Sequence, residues 1–101
     1  MSLTRSEIKC AMQTALLGEV YPSIRAIACA YNPITKNFLI RYYLDRKPTD
    51  DDYDSVSEVM TEFISHFKYS EFDELKEECQ YSELPASKID PLDGFVYARK
   101  E

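Results

Sequence analysis

Few side chains here are suited to chemistry. His66 is the single histidine, so a Ser-His-Asp or Cys-His nucleophile would have to be built around it. It follows a stretch of helical periodicity, at the end where a cation is favourable, and capping or surface placement accounts for it without catalysis. The cysteines are Cys10, Cys29 and Cys79. An odd number at wide spacing fits neither a disulfide framework nor a zinc site, and their apolar or small neighbours mark them as reduced, buried small hydrophobes. Cys79 is the one later cysteine near His66, and nothing in the sequence sets up their geometry. Asp50, Asp51, Asp52 and Asp54 crowd together like a calcium loop. Counted from Asp50, however, the positions where an EF-hand needs Gly and Glu hold Ser55 and Thr61. There is no glycine-rich phosphate loop. No catalytic residue, metal or cofactor is expected, and the chain reads as a binder rather than an enzyme.

Charge is the more informative signal. The net charge is −6, which argues against direct contact with nucleic acid. Residues 45–78 hold 12 acidic and 4 basic side chains, a balance of −8, and the remaining 6 acidic and 8 basic give +2. One segment therefore carries all the excess acid. A helix start needs one capping residue, and three adjacent aspartates exceed that need. The surplus is either solvated or presented to a cationic partner. The later run Glu71, Asp73, Glu74, Glu77, Glu78 allows the same two readings.

The elements that must position these residues follow from periodicity. With 101 residues and only two glycines, residues 1–101 read as a single globular domain. No signal-peptide or membrane-spanning apolar run is visible, so a cytoplasmic protein with no membrane partner is expected. Thr4 and Glu7 form a capping box for a first helix over 5–17, with Ile8, Met12, Ala15 and Leu16 on one face and Gly18 behind it. Residues 24–31 and 38–45 read as a strand hairpin around Asn32-Pro33. In the first strand Ile24 shares a side with Ala26, Ala28 and Ala30, a small surface suited to close packing of a helix. Thr49 and the aspartates start a second helix over 50–67, whose stripe Tyr53, Val56, Met60, Phe63, Phe67 is the predicted core face. Residues 72–81 are compatible with helix or strand; the short apolar segment 94–99 needs a strand neighbour and favours strand. The expectation is an α+β fold in αββαββ order, a four-stranded antiparallel sheet with two helices packed on one face.

Eight tyrosines and no tryptophan complete the picture, with Tyr42, Tyr43, Tyr53, Tyr69, Tyr81 and Tyr97 as core-edge rings or interface anchors. The runs Ala15-Leu16-Leu17-Gly18-Glu19-Val20, Pro22-Ser23-Ile24-Arg25-Ala26-Ile27, Arg41-Tyr42-Tyr43-Leu44-Asp45-Arg46-Lys47-Pro48-Thr49-Asp50-Asp51-Asp52, Ser57-Glu58-Val59-Met60-Thr61-Glu62-Phe63 and Gly94-Phe95-Val96-Tyr97-Ala98-Arg99 together resemble small bacterial immunity proteins of the contact-dependent growth inhibition type. The resemblance implies a cognate protein toxin, often a nuclease, neutralised in the cytoplasm by one-to-one binding, and brings no active-site residues. The charge reading agrees: a nuclease site is cationic, and an acidic protein can fill it. The candidate toxin-binding set is Asp45, Asp50, Asp51, Asp52, Asp54, Glu71, Asp73 and Glu74, expected to lie near one another. The alternative is a non-catalytic adaptor that makes contact through an apolar sheet face.

Overall fold

A computed structural model describes residues 3–68 and 71–101. Helix α1 spans Arg5–Ala15 and opens as its sequence dictates: the Glu7 amide donates to Thr4 Oγ1 at 3.1 Å and the Thr4 amide to Glu7 Oε1 at 3.2 Å. Its last turn closes at Leu16, and Gly18 follows at φ +77°, where a Cβ would be strained. Strands β1 (Ile24–Asn32) and β2 (Asn37–Leu44) form the expected hairpin, with Asn32 Oδ1 accepting from the amides of Ile34 and Thr35.

One detail of β1 differs from simple alternation. Ile24 pairs with Leu44 and Ala26 with Tyr43, so Arg25 is an extra residue in the ladder. A bulge resets the two-residue period. Ile24 therefore joins Ile27 and Cys29 on the helix-covered face, not Ala26 and Ala28.

Helix α2 covers Asp50–Ile64 and ends before Phe67, which lies beyond it, partly buried against the core. Its buried face is Asp52, Val56, Val59, Met60 and Phe63. Tyr53 is thus not a core residue: it stays 46% exposed at the rim. Strand β3 (Glu74–Tyr81) settles the ambiguous segment as strand, but it pairs with β2 in parallel, Asn37 opposite Glu74 and Leu44 opposite Tyr81. The sheet is mixed rather than antiparallel because α2, about 22 Å long at 1.5 Å per residue, carries the chain back along the full length of β2 before β3 begins.

Strand β4 (Phe95–Ala98) pairs antiparallel with β1, giving the spatial order β3-β2-β1-β4. The last two strands occupy opposite edges and run in the same direction, so residues 82–94 must recross the sheet. They do so over the face away from the helices, where Ile89 is buried with Ala26, Ala28 and Tyr43. The small alanine surface thus receives a loop instead of a helix. Arg25 ties that loop down, donating to the carbonyls of Ser82 (2.9 Å) and Leu84 (2.7 Å) and to both carboxylate oxygens of Glu101.

The main core lies between the two helices and the other sheet face, around Met12, Ile24, Ile27, Phe38, Ile40, Tyr42, Val56 and Phe63. Cys29 and Cys79 are buried there, and burial pushes both thiols up to about 12. Cys10 departs from expectation: it is free and exposed on α1.

Candidate functional site

Asp52 was expected on the binding surface, and the fold buries it. It sits in the first turn of α2, one turn before Val56, with 1% of its surface exposed. Its carboxylate accepts from Arg46 at 2.6 and 3.0 Å, from the Tyr21 hydroxyl at 2.6 Å and from the Thr49 amide at 2.7 Å. It fixes the helix start to the strand end and is unavailable to a partner. The Arg46 guanidinium holds the Asp52 carboxyl well below the usual carboxylate range, helped by Tyr21 and Thr49. A depressed folded-state pKa contributes stability above about pH 4 that is lost as acid protonates the group. Asp52→Asn is expected to cost about 2–4 kcal/mol at neutral pH; the cap and two charged hydrogen bonds go, while half-exposed Arg46 can resolvate. The deficit against the native chain should shrink below about pH 4. Urea unfolding at several pH values measures both.

Asp45 is exposed but neutralised, its carboxylate taken by Arg99 at 2.8 Å, and Arg99 in turn reaches Glu101 at 3.1 Å. Arg41 is paired with Glu78 at 2.7 Å. Asp50, Asp51 and Asp54 are exposed at the start of α2. Glu71, Asp73 and Glu74 lie at the other end of the sheet, where the Tyr31 hydroxyl donates to the Glu71 carbonyl and the Asp73 amide to Lys36. The eight residues do not form the single patch expected of them, because β3 enters parallel to β2.

Between the two groups runs a stripe of which the candidate set held only Asp54. α2 runs antiparallel beside β3, and four helical residues advance about as far as two strand residues. Tyr53 Oη accordingly donates to the Cys79 carbonyl at 3.4 Å and Ser57 Oγ to Glu77 at 3.0 Å, while Thr61 flanks a groove with Asp73 and Leu75. The next ridge outward is Asp54, Glu58 and Glu62, all exposed, leading from Asp50 and Asp51 toward Asp73 and Glu74. None of Asp54, Glu58 and Glu62 forms an ion pair among the described residues. Their spacing of four was visible in the sequence as the polar face of the helix; what was missing was the direction of β3. Half-exposed Tyr53, Tyr81 and Leu75 border the stripe. Tyr69, another candidate anchor, lies outside the described residues.

His66 is exposed past the end of α2, whereas Cys79 is buried under it. Among the described residues no group of three or more His, Cys, Asp or Glu is placed to hold a metal, and no helix is long and apolar enough to cross a membrane. No curated protein matches the chain. The sequence profile of the family described as MafI2 immunity protein matches residues 5–101.

Proposed function

Because the chain belongs to the MafI2 immunity protein family, we propose that it binds a cognate bacterial toxin and neutralises it without chemistry of its own, by laying the α2 carboxylate stripe against a cationic surface. The observation that carries this is the unequal distribution of partners. Arg25, Arg41, Arg46 and Arg99 are committed to Glu101, Glu78, Asp52 and Asp45, while Asp54, Glu58 and Glu62 are left exposed side by side. Like charges at i,i+4 cost a helix a few tenths of a kcal/mol per pair. An oppositely charged partner removes that cost and gains from it. The finer reading is a nuclease toxin, delivered by contact between cells and met in the cytoplasm, whose phosphate-binding cleft attracts the stripe as it attracts its substrate. The adaptor alternative has less apolar surface to use, since Ile89 and its loop cover Ala26, Ala28 and Tyr43 on the sheet face away from the helices.

The test takes the toxin whose killing the chain suppresses and measures association between the two proteins across a salt series. Steering by unpaired carboxylates predicts a rate that falls steeply between low salt and about 0.3 M, as the Debye length shrinks below about 6 Å. A salt-independent rate would remove the stripe from the mechanism.

A further inference from the structure

Strand β3 is an edge: it pairs with β2 on one side and stands last in the sheet order. It is eight residues long, without proline, glycine or bulge, the kind of edge that templates another strand unless guarded by charge. Edge strand β4 has only four residues. In a parallel ladder alternate residues turn both backbone groups toward the neighbour. The Ser82 amide donates to the Leu44 carbonyl, so the even-numbered residues of β3 serve β2, and Leu75, Glu77, Cys79 and Tyr81 direct theirs outward. The bond from Tyr53 to the Cys79 carbonyl agrees, since that carbonyl is free to accept from outside the sheet. Charge guards the edge, mostly negative: Glu74 and Glu77 flank Lys76 on the strand, and Ser57, the α2 residue that reaches Glu77, neighbours Glu58 of the exposed Asp54, Glu58, Glu62 ridge one position farther round the helix. That guard repels a second copy of this acidic chain and attracts a basic segment.

Resting on the toxin-binding reading above, we propose that the partner adds an extended, lysine- or arginine-bearing strand to the free edge of β3, its main chain pairing with Leu75, Glu77 and Tyr81 and its cations lying along Asp54, Glu58 and Glu62. Backbone pairing supplies affinity in such additions, and the flanking side chains supply selectivity.

Amide hydrogen exchange of the full chain, free and in complex with the toxin it neutralises, tests this. The amides of Leu75, Glu77 and Tyr81 should slow by about tenfold or more on binding. A complex that leaves these three amides exchanging as in the free chain overturns strand addition while leaving toxin binding intact. Leu75→Pro gives a second arm: it deletes an outward N–H and no ladder bond, a substitution edge strands tolerate. It should abolish rescue of toxin-expressing cells while Leu75→Ala retains it. Full rescue by a folded Leu75→Pro chain also overturns the proposal. If Leu75→Pro does not fold, the exchange measurement decides alone. A chain that protects against no toxin overturns this inference and the reading it rests on together.

Discussion

Cells making the cognate toxin together with the Asp54→Lys, Glu58→Lys, Glu62→Lys chain are expected to die as fast as cells without any protecting chain. All three side chains are exposed on one ridge of α2 and form no ion pair among the described residues. Where such a carboxylate meets a desolvated cation, removing it costs about 2–5 kcal/mol, since the partner's charge is stranded. Reversal adds repulsion to that loss. At about 1.4 kcal/mol per factor of ten, even one central position weakens binding by about 30-fold or more. The fold should survive: glutamate and lysine have similar helix propensity, and three like charges replace three like charges. Lysine at position 62 even suits the negative end of the helix dipole. Asp52 is left out because its reversal would place an ammonium in a buried site already holding Arg46. Growth rescue is the readout, with circular dichroism to show an intact helix. Undiminished rescue by a folded triple variant would show that the toxin is held elsewhere.

The largest expected effect on stability is at Phe63. Its ring is fully buried, stacked on Phe38 at 4.5 Å between centroids with planes 15° apart, and it meets Phe67 and Phe72 at 5.2 and 5.7 Å. It joins α2 to the sheet at the end where β2 and β3 begin. Phe63→Ala removes an aromatic from a site walled by other rings, which cannot easily collapse, and is expected to cost about 3–5 kcal/mol. For a domain of this size that is a large fraction of the total. Urea unfolding measures it, and a loss below about 1 kcal/mol would mean that this end of the core is loosely packed.

Local signals in the chain were sufficient for every element that depends on neighbours in sequence. Thr4 and Glu7 start α1, Asn32 turns the hairpin, and Val56, Met60 and Phe63 set the inward face of α2, because capping, turn chemistry and a 3.6-residue period act within a few residues. The surplus of acid in residues 45–78 was equally plain. Tertiary structure decided three things that no local pattern encodes. The bulge at Arg25 moved Ile24 across the sheet, since one extra residue inverts a two-residue period. The return of the chain along α2 made β3 parallel to β2 and sent β4 to the far edge, which separated Asp45 and Asp50 from Asp73 and Glu74 and left Glu58 and Glu62 between them. Partner choice then divided carboxylates that look alike in sequence: Asp52 is folded in under Arg46 and Tyr21, Asp45 is neutralised by Arg99, and Asp54 is left exposed with no ion pair among the described residues. The amount of negative charge is a property of composition, but whether a given carboxylate is free to meet a cation depends on which arginine the fold brings within about 3 Å of it.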